Sequence, residues 1–226
     1  MWCTNCNIET NAPTCYICDK PTVEDKPIEI FWCKNCRVPV IKTEKQADKD
    51  ICPVCNKKVK YLASDLRPVF PEERLLLEIM LKETPNKYVK SSVWACNNRY
   101  YIDGKSIALP NSIYKTLDTE KISKLLQSCQ TANTYEFFNH YIEVFLAANA
   151  QRFNSLVSEA HDFIHKEASK FPEEQLVVSF SGGKDSTVTA DLAINALSNP
   201  NLVHIFGDTT LEFPSTIEYS QRYRAE

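Results

Sequence analysis

Eight cysteines near the N-terminus have the spacing of metal ligands. They form four Cys-x-x-Cys pairs within the first 55 residues, and each pair presents two thiolates from one tight turn. Two such pairs complete a tetrahedral four-sulfur site suited to Zn²⁺, and a closed shell of four thiolates is structural rather than catalytic. The candidate ligands are Cys3, Cys6, Cys15, Cys18, Cys33, Cys36, Cys52 and Cys55.

The pairing of these cysteines and the identity of the metal stay open from the spacing alone. Pairing in chain order gives two successive zinc ribbons, whereas alternating pairing gives a cross-braced module. Iron in a rubredoxin-like site is the rival to zinc. Disulfides are disfavoured, because repeated Cys-x-x-Cys pairs in a cytosolic chain are typical of metal binding.

A second candidate site is the run Ser181-Gly182-Gly183-Lys184-Asp185-Ser186. Its two glycines permit a sharp turn and leave backbone N–H groups open to a phosphate. The helix predicted to begin near Lys184 directs its positive dipole end to the same place, and the lysine adds a full charge. The two serines supply hydroxyl donors, and Asp185 indicates Mg²⁺ or a structural hydrogen bond. The spacing differs from G-x-x-x-x-G-K-[ST], so the run predicts a nucleotide-phosphate loop distinct from the NTPase P-loop.

The residues around this loop predict a β-loop-α-β unit. The apolar run from Leu176 to Phe180 predicts a strand buried on both faces, and a helix is expected to about Leu197. A second buried strand is predicted over Leu202–Phe206. Such a unit is the building block of a parallel α/β sheet, whose ligands bind beyond the carboxyl ends of the strands.

The two motifs of this region resemble a known family. The Ser181–Ser186 run is similar to the S-G-G-x-D-S pyrophosphate loop of the adenine nucleotide alpha-hydrolase superfamily, also called N-type ATP pyrophosphatases or PP-loop proteins. Phe206 to Thr216 resembles the D-T-G-x-x-F-P-E-T stretch of the phosphoadenosine phosphosulfate (PAPS) reductase family within it. Thr210 stands where that family has glycine, and Ser215 where it has glutamate.

The resemblance implies an enzyme that binds ATP or PAPS, with Mg²⁺ as a further candidate cofactor. The implied nucleotide-binding residues are Ser181, Gly182, Gly183, Lys184, Asp185, Ser186, Asp208 and Thr209. Reductases of this family also use a late cysteine, and none follows Cys129 here, so no catalytic residue is assigned. The two strands predicted in this region are fewer than the roughly five of a doubly wound sheet. We therefore expect the chain to end inside its catalytic domain.

Four segments are expected along the chain. Tandem ribbons occupy residues 1–62, a small α+β or β-barrel module 63–117, a helical segment 118–172, and the start of the adenine nucleotide alpha-hydrolase-like sheet 173–226. The second segment is predicted to contain a helix over Glu72–Lys82, strands at Ser92–Cys96 and Arg99–Ile102, and a turn at Asp103-Gly104. The third is predicted to start after an N-cap at Asp118 and to contain apolar stripes that serve as packing surfaces.

The order of these segments resembles an archaeal-type branch of the same superfamily. In that branch, zinc ribbons and a PUA-like RNA-binding module precede the catalytic domain. Asp65-Leu66-Arg67-Pro68-Val69-Phe70 and Tyr100-Tyr101-Ile102-Asp103-Gly104-Lys105 carry the resemblance to the PUA-like module.

Composition narrows the function classes. The 226 residues carry a formal net charge of −3, which argues against general nucleic-acid binding, although eight basic residues against three acidic ones between Cys33 and Lys60 allow a local basic surface. No apolar run approaches the roughly 18 residues that span a bilayer, and the N-terminus is unlike a signal peptide. The sequence therefore predicts a cytoplasmic protein with no membrane partner.

Three functions remain in competition at this level. The favoured function is PAPS reductase-family chemistry on an adenine nucleotide, in sulfur transfer or sulfate reduction. The alternative is an RNA-directed PP-loop enzyme that thiolates or adenylates tRNA, with RNA or a sulfur-carrier protein as its partner. A protein-binding scaffold with an inert nucleotide domain is the third.

Overall fold

The computed structural model describes residues 2–3, 5, 8–9, 12–23, 29–42, 50–63, 65–96, 99–109, 113, 117–129 and 135–225. The chain divides into two compact units, Met1–Ala150 and Gln151–Glu226. None of the helices in the described part of the chain has the length and apolar character needed to cross a membrane.

The N-terminal unit begins with two small antiparallel sheets. Strands β1 (Trp2–Cys3) and β2 (Ile8–Glu9) pair with each other. The second sheet has the order β4-β3-β5, with β3 (Glu29–Cys33) between β4 (Val38–Lys42) and β5 (Lys60–Ala63). Both sheets are short, and segments this small build little hydrophobic core of their own.

A four-stranded antiparallel sheet with one helix follows in the same unit. Strand β6 (Arg67–Pro68) precedes helix α1 (Pro71–Met80), and β7 (Val93–Cys96), β8 (Arg99–Ile102) and β9 (Lys105–Ala108) complete the order β6-β7-β8-β9. The helix and the two strands expected here from the sequence are present within one or two residues. A proline begins α1, where a missing N–H costs nothing. The core between helix and sheet consists of Val69, Leu77, Met80, Val93, Ala95, Ile102 and Leu109.

Helices α2 (Thr119–Cys129) and α3 (Glu136–Ala148) end the N-terminal unit. The expected N-cap is confirmed, because the Asp118 carboxylate accepts a hydrogen bond from the Lys121 backbone N–H at 3.0 Å. Asn149, directly after α3, is 6% exposed and accepts a hydrogen bond from the Ile41 N–H of β4 at 2.6 Å. The end of α3 is therefore joined to the sheet that contains β3, β4 and β5.

The C-terminal unit contains a parallel β-loop-α-β motif. Its elements are α4 (Ala150–Ala168), a 3₁₀ turn (Glu173–Gln175), β10 (Val177–Phe180), α5 (Lys184–Leu197), β11 (Val203–Phe206) and α6 (Pro214–Ala225). The two strands pair in parallel with Val177 opposite Val203 and Phe180 opposite Phe206. Small residues of α5 let it approach β10 closely, and the buried ones are Ala190, Ala193 and Ala196.

The expectation that the two strands are buried on both faces is wrong. Strands β10 and β11 are covered on one face only, because Val178 and Phe180 pack into the core whereas Val177 and Val203 are 53% and 56% exposed. The apolar runs of these strands therefore follow the residue alternation of a sheet with one face packed. The apolar stripe of α4 is covered only in part, because Val157 and Ile164 are half-buried whereas Phe153, Leu156 and Phe163 are exposed.

Candidate functional site

Cys33, Cys36, Cys52 and Cys55 come together at the end of the β4-β3-β5 sheet. Their sulfur atoms all lie within 4.8 Å of one another, with 3.5 Å between Cys33 and Cys55 and 3.8 Å between Cys36 and Cys52. In a tetrahedral zinc site with Zn–S bonds of about 2.3 Å, the sulfurs are roughly 3.8 Å apart. The donor set and its geometry therefore fit zinc, and tetrahedral sulfur coordination suits iron as well.

Protonation of this cluster is shaped by burial and by the closeness of the four thiols. Burial raises the pKa of Cys33 and of Cys36, and neighbouring thiols raise the latter further. Burial also acts to raise the pKa of Cys55, but hydrogen bonds from the Lys57 backbone and the neighbouring thiols lower it to about 7. Metal binding must therefore displace protons from the more deeply buried thiols, so metal affinity falls as the pH falls.

A second cluster contains Cys3, Cys15 and Cys18, with 3.6 Å between the sulfur atoms of Cys3 and Cys18. Cys6, the expected fourth ligand, lies outside the described residues. The nine described cysteines form no disulfide. The two clusters group the cysteines in chain order, which is the pairing of successive ribbons rather than of a cross-braced module.

The turn that carries Cys36 is tied to the four-stranded sheet by Arg37, a residue that no sequence motif singles out. Arg37 adopts a left-handed backbone with φ of 57° and donates to the Asp103 carboxylate at 2.6 Å and to the Lys90 carbonyl at 3.1 Å. Its guanidinium also lies 5.2 Å from the ring centroid of Tyr141 on α3. The cysteine cluster is thereby connected to the β8–β9 turn and to α3.

In the C-terminal unit, the parallel register brings the phosphate loop and Asp208 to the same edge of the sheet. Phe180 pairs with Phe206, so Ser181 and Gly207 leave their strands side by side at the carboxyl ends. The side chains of Lys184 and Asp185 are 91% and 93% exposed at the start of α5. This is the edge at which open α/β sheets bind ligands.

The loop is held by hydrogen bonds on its inner side. The Gly183 carbonyl accepts from the Thr187 N–H at 3.1 Å, from the Thr187 hydroxyl at 2.9 Å and from the Ser186 hydroxyl at 3.0 Å. Ser181 donates to the Ser186 hydroxyl at 3.1 Å. Because these bonds direct the carbonyl along α5, the N–H groups of the first helical turn point the other way, toward the exposed edge.

The segment after β11 is a tight turn of exposed side chains. The Asp208 carboxylate accepts a hydrogen bond from the Thr210 N–H at 2.8 Å, and the Thr209 hydroxyl donates to Glu212 at 3.0 Å. Thr210 has φ of 63°, a left-handed conformation that is strained for a β-branched residue and free for glycine. This conformation explains physically why the resembling motif has glycine at that position.

Comparison with known proteins identifies this region. Residues 175–226 match the model of the phosphoadenosine phosphosulfate reductase domain family. The match is confined to this segment, which is similar to that family. The matched PAPS reductase segment contains the phosphate loop, β11 and the Asp208 turn, which confirms the resemblance expected from the motifs. No curated protein and no solved structure matches the chain.

Helix α6 of the PAPS reductase segment borders a cavity of about 900 Å³ beside β11. Two buried polar atoms at this cavity, His204 Nε2 and Ser220 Oγ, have no hydrogen-bond partner among the described residues. His204 donates or accepts at Nδ1 with the Leu202 carbonyl at 2.7 Å and packs edge-on against Phe180. Local sequence patterns do not predict this cavity, because its walls come from separate elements of the unit.

Proposed function

We propose that the PAPS reductase segment binds an adenine nucleotide, either ATP or an adenylyl sulfate such as PAPS, in sulfur transfer or sulfate reduction. The observation that carries this proposal is the exposed loop Ser181–Ser186, at the same sheet edge as Asp208 and Thr209, inside the family match. The family supplies the nucleotide class, and the loop supplies the chemistry that recognises phosphate.

The phosphates would lie against the outward N–H groups of the loop and the first turn of α5. These groups combine hydrogen bonding with the positive end of the helix dipole, and Lys184 adds an exposed cation. The exposed carboxylates of Asp185 and Asp208 are oxygen ligands of the kind that Mg²⁺ prefers in nucleotide complexes. These residues bind and orient the nucleotide, and the cysteine clusters keep a structural role.

Replacing Lys184 tests the placement of this site. The substitution Lys184→Ala is expected to weaken ATP or PAPS binding by at least about 10-fold, since a charged hydrogen bond to phosphate contributes about 1.5–3 kcal/mol. Isothermal titration with each nucleotide and Mg²⁺ measures the change. Lys170→Ala is the matched control, because its ion pair with Glu167 is exposed and distant in sequence from the loop. Equal affinity of wild type and Lys184→Ala would show that the site is misplaced.

One observation favours the RNA-directed enzyme as a second candidate, in which ATP adenylates a tRNA base or a sulfur carrier. The outer strand β5 and the turn before it expose Lys57, Lys58 and Lys60 next to Tyr61, whose ring is 53% exposed. Lysines beside an exposed aromatic ring are the combination that binds phosphate backbone and stacks on bases.

Charge reversal on β5 tests this second candidate. A Lys58→Glu, Lys60→Glu variant is expected to bind tRNA more weakly in a gel shift and to show a smaller loss of binding between low and high salt. A Lys121→Glu, Lys124→Glu variant on α2 makes the same change of charge at two exposed residues of another element. Identical salt dependence of the two variants would argue that β5 does not contact RNA.

A further inference from the structure

Helix α6 contacts the Ser181–Ser186 loop at Gly182. A Cβ atom at Gly182 would lie 2.9 Å from Ser220 Oγ and 3.0 Å from Thr216 Cγ2. The residue also has φ of 71°, which side chains other than glycine tolerate poorly. The glycine therefore serves two purposes, since it forms the turn and lets α6 approach the loop backbone.

A second contact joins α6 to the loop through a chain of hydroxyl groups. The Tyr219 hydroxyl lies 3.0 Å from Thr187 Oγ1, and the Thr187 hydroxyl donates its hydrogen to the Gly183 carbonyl at 2.9 Å. Because a hydroxyl has one hydrogen to donate, the hydrogen between the two hydroxyls comes from Tyr219. The chain therefore runs from Tyr219 through Thr187 to Gly183.

The Tyr219 ring is half-buried and packs against the core of the unit. It stacks on Phe180, the last residue of β10, with the ring centroids 6.3 Å apart and the planes inclined by 28°. The Arg222 guanidinium lies 5.8 Å from the centroid of the same ring. The hydroxyl at the end of a ring held in this way has little freedom, so it fixes the direction of the Thr187 hydroxyl.

We propose that Tyr219 is a positioning residue for the nucleotide phosphates, acting through Thr187 on the Gly183 carbonyl. The orientation of that carbonyl sets the direction of the loop N–H groups, because both belong to the same short backbone segment. Helix α6 also begins directly after the Asp208–Phe213 turn, so one helix holds both parts of the nucleotide site. This inference rests on the proposed binding of nucleotide at the loop.

The test compares ATP affinity in variants of the full chain. Tyr219→Phe keeps the ring stack and removes the donor, and we expect binding to weaken about three- to tenfold, the effect of one lost hydrogen bond. Thr187→Val should cost a similar factor, and the double variant should bind no more weakly than Thr187→Val alone. Thr187→Ser keeps the hydroxyl and should retain wild-type affinity. Tyr223→Phe, one turn later on α6 and also stacked on Phe180, is the matched control.

The outcomes separate this inference from the proposed function. If the wild-type chain binds neither ATP nor PAPS, the proposed function is overturned and the positioning role with it. If the wild type binds and Tyr219→Phe binds equally well, the positioning role alone is overturned. Additive losses in the double variant would likewise refute action through Thr187. Should Tyr219→Phe unfold, equal affinity of Thr187→Val and Thr187→Ser would still refute the hydroxyl chain, since neither substitution touches the ring stack.

Discussion

Removing the metal from the Cys33, Cys36, Cys52 and Cys55 cluster should unfold the sheet that carries it. The buried sulfurs of this cluster lie in one core with Val38, Val40, Tyr141 and Ala148. The apparent binding free energy of structural zinc is about 10–16 kcal/mol, against a total stability of about 5–15 kcal/mol for an ordinary domain. The free energy lost with the metal therefore exceeds the stabilisation that the remaining contacts of so small a sheet can provide.

Tryptophan fluorescence measures this loss. Trp32 on β3 and Trp94 on β7 are 8% and 2% exposed and share one core, so their emission should shift to longer wavelength when a chelator removes the metal. A Trp2→Phe background confines the signal to these two residues, because the chain has three tryptophans. A Cys52→Ala variant should reproduce the shift without chelator.

The control for this experiment is Cys129→Ser, which removes a cysteine outside both clusters and outside the core that holds Trp32 and Trp94. It should keep the wild-type emission and the wild-type metal content. An unshifted emission from protein that metal analysis shows to be metal-free would contradict a structural role for the cluster.

Local chemistry explains which features the sequence predicted. The Cys-x-x-Cys turns, the turn at Ser181–Ser186 and the Asp118 helix cap each depend on residues within a few positions of one another. The β-loop-α-β unit was also predictable, because its apolar runs and glycine turn are contiguous in the chain. The assignment of the nucleotide residues and of the four segments stays a prediction.

Contacts between distant residues explain what the sequence did not predict. Strand β10 is buried on one face only, and this burial depends on which elements cover the sheet rather than on the residues of the strand itself. The hydroxyl chain from Tyr219 to Gly183 and the contact of Arg37 with Asp103 likewise join separate elements. The sequence identified the Asp103-Gly104 turn, but not the side chain that lies against it.

The Trp32 side chain lies against the Asp103-Gly104 turn. We therefore expect Gly104→Ala to destabilise the N-terminal unit by about 3 kcal/mol. A Cβ at Gly104 would lie 2.5 Å from both Cδ1 and Nε1 of the indole, where no atom fits without displacement. Overpacking of this kind costs about 1–3 kcal/mol. The φ of 77° adds about 1–2 kcal/mol for any side chain. The two costs act together, because the left-handed turn is what brings the backbone against the ring.

Urea unfolding followed by tryptophan fluorescence measures the expected loss. Gly207→Ala is the control, and its unfolding is followed by circular dichroism because the C-terminal unit contains no tryptophan. A Cβ at Gly207 meets no atom within 4 Å, so that variant should change the free energy of unfolding by less than about 1 kcal/mol. Adding Trp32→Leu to Gly104→Ala separates the two costs, since the smaller side chain relieves the overlap and leaves the backbone strain. The effect of Gly104→Ala should therefore be smaller in the Trp32→Leu background than in the wild type. An equal effect in both backgrounds would mean that backbone conformation alone requires glycine at this turn.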